Sequence, residues 1–448
     1  MKRVLLVTYY FPPSGGPGVQ RGLKFARYLP AFGWQPTILT VRPENAAYSD
    51  LDPTLEAEVP AMLPVERTKA WDPYAFYARL TGRKKDEAVG VAFVGEEGTR
   101  ARERLARWVR ANVFLPDARV GWVPFARRRA EKLVKTGAFD AVLTTGPPHS
   151  THLIGRALAR RHSLPWIADF RDPWTDISYY HELPFTPAAR RRDAALERSV
   201  LEEADRVVAV SPSLKALLAR KTETAVEVIS NGFDEADFVA VHPHESEGFV
   251  LAHTGTLSAS QNPDALWRAL RRLRDAGTIP ALRIRLVGHV DGQVLRDLAR
   301  HELEDLLEKI PYVPHDEAIR YMCGASLLLL SINRVPDASL IVTGKLFEYL
   351  ASGRPVVGVG PDCGDAAAIL QETGAGHLFE YDDAAGIMAY VKQHYEAWAA
   401  GTPLAGAAPG AADAYNRKHQ AGVLAGVLEA VRRKRPGEHP SGGRPQEG

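Results

Sequence analysis

Thr343-Gly344-Lys345-Leu346-Phe347-Glu348-Tyr349-Leu350-Ala351-Ser352-Gly353-Arg354-Pro355-Val356-Val357 reads as a helix start, two turns of helix, a glycine stop and a strand. Thr343 has the chemistry of an N-cap and Gly353 that of a helix terminator, and Pro355 bars the helix from continuing. Leu346, Phe347 and Leu350 form the apolar stripe, while Lys345, Glu348 and Ser352 share the other face. A helix N-terminus with free backbone N–H groups, a glycine that permits close approach at Gly344 and a lysine one residue inside form a cradle for a diphosphate. A glutamate one turn on can accept hydrogen bonds from ribose hydroxyls. The same residues also fit a plain surface helix with a Lys345–Glu348 ion pair worth about 0.2–0.5 kcal/mol, and the helix alone does not choose between these readings.

Outward from this stretch, the chain alternates strand and helix in two successive blocks. In the first, 2–8 is an apolar strand, followed by a Pro-Pro-Ser-Gly-Gly-Pro-Gly turn that includes Gly15 and Gly16, a helix over about 19–29 and a strand at 34–41. This is a βαβ opening without the G-x-G-x-x-G of an ordinary dinucleotide site. Strands at 139–145, 165–170 and 206–210 follow, with helices between them, one of them spanning about 187–204, and 226–234 closes the block. The second block has strands at 249–254, 282–287, 327–331 and 355–359. Two such blocks predict an α/β protein of two Rossmann-like, doubly wound domains, 1–240 and 248–410, joined by a polar linker at 240–248. A last amphipathic helix spans 411–435, and the Pro/Gly/Glu-rich 436–448 reads as a disordered tail.

The 448 residues suffice for two cores, and 45% hydrophobic with 25% charged residues is the composition of a soluble protein. A formal net charge of +2 argues against a dedicated nucleic-acid binder. Cys323 and Cys363 have no zinc-site spacing and read as reduced thiols of a cytoplasmic protein. No signal-type apolar region follows Lys2 and Arg3, and no apolar run approaches the roughly 20 residues of a spanning helix.

Residues 50–135 show little regular α/β pattern, and within 100–135 eleven basic residues stand against three acidic ones. Leu105, Trp108, Val109 and Val113 fall on one helical face, with Arg100, Arg104, Arg107 and Arg110 largely opposite. A basic amphipathic segment can lie on the anionic inner face of a membrane. The simpler expectation is a helix packed on its own domain with a solvated arginine face.

Open α/β sheets bind ligands beyond the C-terminal ends of their strands. That singles out His149 after the 139–145 strand, and Asp169, Arg171 and Asp172 at the end of 165–170. The alternatives are a structural Arg171–Asp172 pair and a His149 that only caps the next helix. Ser211 reads as a cap before Pro212, because no G-x-S-x-G surrounds it. In the second block the corresponding exits are Gly255-Thr256 and Gly288.

The sequence resembles GT-B glycosyltransferases of the family 4-like group. The resemblance rests on Glu348 with the Ala351-Ser352-Gly353-Arg354-Pro355-Val356 tail, the Ala168-Asp169-Phe170-Arg171-Asp172-Pro173-Trp174 string, the Asn231-Gly232-Phe233-Asp234 turn and the glycine-rich turn after strand one. It covers nearly the whole chain, least well over 50–135. It implies transfer of a sugar from a nucleoside-diphosphate sugar to a hydroxyl acceptor, a glycan or lipid-linked one, in surface polysaccharide or glycolipid synthesis. It implies no cofactor, no metal, retention of configuration and an active-site cleft between the domains. Gly15, Gly16, Gly255, Thr256, Gly288, Val313, Thr343, Gly344 and Glu348 would bind the donor. Lys345, Asp172 and Arg171 would be catalytic, and His149 and Asp169 would face the acceptor.

The chain departs from the family pattern at three places: Leu340 where the first of two glutamates belongs, Thr256 at an arginine position, and Gln261 or Asn262 at a lysine position. A leaving diphosphate needs a cation or a helix end, which makes Lys345 the leading candidate, with Arg171 and Arg354 behind it. A nucleotide-sugar epimerase of the same fold, a sugar phosphorylase and a degenerate nucleotide-binding partner protein are the competing expectations.

Overall fold

Apolar runs such as Val4-Leu5-Leu6-Val7 and Leu327-Leu328-Leu329-Leu330 suit strands covered on both faces. In the computed structural model, which describes residues 1–48, 51–71 and 100–433, both runs are inner strands of parallel sheets. The first sheet runs β3-β2-β1-β4-β5-β6-β7, from β1 (Lys2–Val7), β2 (Trp34–Val41), β3 (Val65–Thr68), β4 (Ala141–Gly146), β5 (Trp166–Phe170), β6 (Arg206–Ala209) and β7 (Val226–Val228). The second runs β10-β9-β8-β11-β12-β13, from β8 (Phe249–Thr254), β9 (Leu282–Val287), β10 (Leu307–Ile310), β11 (Leu327–Ser331), β12 (Val356–Val359) and β13 (Gly376–Phe379). Leu5 pairs with Thr37 on one side and Val142 on the other, and Leu251 likewise sits between Ile284 and Leu327. Strand order reverses between β1 and β4 and between β8 and β11, which is where doubly wound sheets open a crevice for ligands.

The chain forms two compact units. One comprises Met1–Val210, Leu214–Ile229 and the chain from Ala421, and the other Ser211–Ser213 and Ser230–Gln420. Each sheet is coated on both faces. Trp122, Trp166, Ile154 and Leu201 pack on one side of the first, and Val19, Leu23, Trp34 and Phe25 on the other. The second lies between a layer containing Trp267, Leu270 and Val391 and another containing Leu346, Phe347 and Leu350.

The expected strands at 34–41, 249–254, 282–287 and 327–331 are found with those bounds, and 139–145 begins two residues later. Several elements differ, among them β10 and β13, the edge strands of the second sheet, which the sequence reading did not place. The described parts of 50–135 are more regular than the sequence suggests: β3 lies at the sheet edge, and helices span Arg100–Asn112 and Val123–Thr136. Four residues, Val-Glu-Arg-Thr, are too short and too polar to show a strand period. The last helix starts at Arg417 rather than 411, because Asn416 caps it through Oδ1 to the Lys418 N–H, 2.9 Å away. The expected linker at 240–248 is not a free connector, since His244 stacks on Tyr321 at 4.0 Å and lies 2.6 Å from Glu317. The tail expected after residue 435, and the part of the basic insert at 72–99, lie outside the described residues.

Candidate functional site

The Gly344–Ala351 helix follows β11 and buries Leu346, Phe347, Tyr349 and Leu350. Gly353, at φ 67°, ends it in the left-handed conformation that glycine adopts without strain. Its start differs from expectation. Thr343 has the extended backbone of an N-cap, but its side chain makes no capping bond and its buried hydroxyl has no partner among the described residues. A Cβ on Gly344 would meet nothing within 4 Å, so the mouth of the helix is open.

Lys345 is not half of a surface ion pair with Glu348. Its Nζ turns to the exit of β8 and donates to the Thr256 carbonyl at 3.1 Å and to His253 Nε2 at 3.1 Å. Burial pulls its pKa down to about 8, opposed by the Glu348 charge. Glu348 instead meets His315 Nε2 at 2.8 Å. Tyr349, which the sequence reading passed over, receives the Thr254 N–H at 3.1 Å and donates to the Leu329 carbonyl at 3.3 Å. It thereby ties the helix to β8 and β11.

Gly255 and Gly288, at φ 94° and 113°, occupy backbone conformations that suit glycine. They also press together, since a Cβ on Gly288 would lie 2.5 Å from the Gly255 oxygen. Thr256 is exposed and Val313 half-buried. Neither residue at the missing-lysine position takes up the lost role. Gln261 is buried and turned to the Ser331 carbonyl at 3.3 Å, and Asn262 is held by Asp297 and by Trp267 at 2.9 Å. Arg354 lies beyond the other end of the helix and donates to the Cys323 carbonyl at 2.8 Å. Within this unit Lys345 is therefore the cation at the helix mouth.

In the first unit, three predicted residues bind the scaffold. Asp169 is buried, with both oxygens bridged by Arg21 at 2.8 and 2.6 Å, so it faces a structural partner rather than open space. The Arg171 guanidinium is spent on backbone carbonyls, Gly18 at 2.8 Å, Gly146 at 3.2 Å and Pro147, and so ties the loops after β1 and β4. His149 does not cap its helix by side chain. It stacks on Trp174 at 5.0 Å and 10°, contacts the Pro173 carbonyl at 3.3 Å and is held neutral by burial, with its pKa near 3.

Asp172 differs from these three. It makes no ion pair or hydrogen bond among the described residues, and burial pushes its pKa up against the opposing charge of Arg171. Gly15 is half-buried. Gly16, at φ 81°, opens the Pro17–Tyr28 helix with open space around it. His253 and Tyr349 escaped the sequence reading. The signal for Tyr349 was its place four residues after Lys345, and for His253 a lone polar ring in an otherwise apolar strand.

A family model described as Glycosyltransferase Family 4 matches residues 81–237, and one described as Glycosyl transferases group 1 matches 248–397. No curated protein matches the chain in sequence. Among solved structures, the chain resembles sucrose-phosphate synthase from Thermosynechococcus elongatus, with a TM-score of 0.56, 15% identity and 97% of each chain covered. A glycosyltransferase from Rickettsia africae ESF-5 has a TM-score of 0.56 and 14% identity, covering 97% of this chain and 96% of that one. Anabaena HepE, solved in complex with UDP and glucose, has a TM-score of 0.53 and 15% identity, covering 97% and 98%. At such identities these likenesses speak to fold, and the family models speak to kinship. The chain belongs to the GT-B glycosyltransferases of the family 4 and group 1 type.

Proposed function

We propose that the chain moves a sugar from a nucleoside-diphosphate sugar to a hydroxyl acceptor, with no resident metal and with retention at the anomeric carbon. The observation that carries this reading is the Lys345 ammonium, half-buried at the open mouth of the Gly344–Ala351 helix beside the Gly255 turn. A cation, a helix N-terminus and two glycine-lined strand exits together match the needs of a departing diphosphate. Glu348, anchored by His315, is suited to accept from the ribose hydroxyls, and the loop of Val313 lies next to His315 in sequence, where the base would rest. Related Anabaena HepE was solved with UDP and glucose, which favours a nucleotide sugar here.

In the reaction, the bond from the anomeric carbon to the diphosphate oxygen breaks and its electron pair leaves with the diphosphate. The acceptor oxygen forms the new bond on the same face, and its proton passes to the departing phosphate oxygen. Asp172, without a hydrogen-bond partner among the described residues and with a raised pKa, positions the acceptor hydroxyl. Arg171 holds the loops around it, and His149 lies at the neighbouring strand exit as an acceptor-side wall.

The acceptor is a glycan or a lipid-linked glycan of a surface polysaccharide or glycolipid, reached at the inner face of a membrane. Leu105, Trp108 and Val113 are 57%, 44% and 59% exposed rather than packed, on or beside a helix that also exposes Arg104 and Arg107. That arrangement favours peripheral membrane contact over the packed helix that the sequence made the simpler expectation.

Calorimetry with UDP, GDP and ADP, followed by turnover of a nucleotide-sugar panel with product analysis, tests the reading. Binding of one diphosphate and transfer from its sugar is the expected result. Absence of any nucleoside-diphosphate binding would overturn it.

A further inference from the structure

His253 is a completely buried histidine on β8 with no place in the donor cradle as described so far. Its Nδ1 lies 3.0 Å from the Leu329 carbonyl oxygen on β11. Both ring nitrogens face a carbonyl, which only accepts, but the Lys345 ammonium lies on the Nε2 side, so Nδ1 carries the ring proton. Burial, reinforced by the Lys345 charge, keeps the ring neutral with a pKa near 3. Nε2 is therefore a bare lone pair, 3.3 Å from a second acceptor, the Thr256 carbonyl oxygen. Two acceptors so close repel unless a donor lies between them. Lys345 Nζ is that donor, 3.1 Å from each. An ammonium has three protons. Two are engaged here, and one is left for a ligand.

We propose that His253 is a positioning residue of the donor site, its neutral Nε2 fixing the Lys345 ammonium at the Gly255 turn so that a single N–H serves the donor's diphosphate. This rests on the donor-site reading above. The lysine stem reaches the β8 exit from the helix mouth, and without an acceptor on the strand its terminal bonds would be free to rotate. A histidine in this tautomer supplies a fixed acceptor that does not compete for the proton. The Leu329 carbonyl holds the tautomer, as an outer partner orients an inner ligand in other sites.

Nitrogen-15 NMR of the ligand-free wild-type protein is the first test, with His253 assigned by comparison with His253→Gln. A protonated Nδ1 and an unprotonated Nε2 are expected, and the opposite tautomer would overturn the proposal. The second test is a double-mutant cycle read by titration with UDP, GDP or ADP, whichever the wild type binds. His253→Phe keeps a ring but removes the acceptor, and His253→Gln offers an amide oxygen in its place. His253→Phe should weaken binding about tenfold, His253→Gln should recover most of that loss, and in a Lys345→Ala background His253→Phe should change affinity by less than about twofold. Additive losses, or equal losses in Phe and Gln, would mean that His253 acts only through the core and would refute the positioning role. Should His253→Phe fail to fold, His253→Gln and the tautomer still decide. A wild type that binds none of the three nucleotides refutes the donor site, while the tautomer continues to judge the pairing.

Discussion

His315 Nε2 lies 2.8 Å from Glu348 Oε1, which anchors the carboxylate one turn inside the Gly344–Ala351 helix. A carboxylate has two oxygens, and the second has no partner among the described residues. Glu348→Gln removes the charge that a ribose hydroxyl would bond to, and hydrogen bonds to charged groups are worth about 1.5–3 kcal/mol. Nucleoside-diphosphate affinity should therefore fall about 10- to 100-fold by calorimetry with little change in melting temperature. Unchanged affinity would place the ribose elsewhere.

A donor role for Lys345 predicts a pH dependence. Its pKa is lowered to about 8, so the free protein loses the cation as pH rises through that value. kcat/KM for the nucleotide sugar, which reports the free enzyme, should fall on the alkaline side with a midpoint near 8. Lys345→Arg should extend the plateau upward, and Lys345→Ala should lower turnover about 10²-fold or more and abolish the limb. A flat profile in the wild type would separate Lys345 from the diphosphate.

Asp193 accepts from Trp174 Nε1 and from the Tyr180 hydroxyl, both at 2.9 Å. Burial raises its pKa from about 4 to about 6 despite those bonds. A carboxyl raised in the folded state binds its proton more tightly there than in the unfolded chain. Its ionisation therefore carries no cost to stability below pH 4, a growing cost between about 4 and 6, and the full cost above 6, about 2–3 kcal/mol. Urea unfolding across that range should show this decline in the wild type, and Asp193→Asn should lack it. Parallel curves would disprove the shift.

The exposed Leu105, Trp108 and Val113 and the exposed Arg104 and Arg107 predict adsorption to membranes. Each basic residue near an anionic surface contributes about 1 kcal/mol. Vesicles containing phosphatidylserine should carry the protein upward in a flotation gradient at low salt, and neutral vesicles or high salt should not. Trp108→Ala together with Arg104→Glu should abolish the difference, and a wild type left at the bottom with anionic lipid would exclude the contact.

Leu428 is buried in the layer that also contains Val4, Leu6 and Val19. Leu428→Ala should cost about 2–5 kcal/mol. Chemical unfolding followed by Trp fluorescence would measure it, and a loss below about 1 kcal/mol would show the helix to be dispensable.

Much of this was legible because parallel strands covered on both faces must be apolar along their length, and the runs around Val4, Leu251 and Leu327 have no other use. The helix of Lys345 and Glu348 was legible from its stripe and its glycine stop. What the residues do with their polar ends was not. Side chains distant in sequence decide that: Lys345 turned to His253, 92 positions away, instead of Glu348 three away. Asp169 looked like a site residue because it ends a strand, yet it is neutralised by Arg21, 148 positions earlier. Edge strands such as Val65–Thr68 are half-polar and short, and they acquire their identity only from the neighbour they pair with.

The helix Arg417–Arg433 is made long after β1–β7, yet from Ala421 onward it completes one layer on their sheet. During synthesis, the part of that flank not covered by the Val19 and Leu23 helix therefore stays open until residues beyond Ala421 have left the ribosome. The later lobe's residues emerge without a gap from Ser230 to Gln420 and need far less patience. A nascent chain halted before Ala421 would leave the older half unsealed, an apolar flank for chaperones or proteases to read.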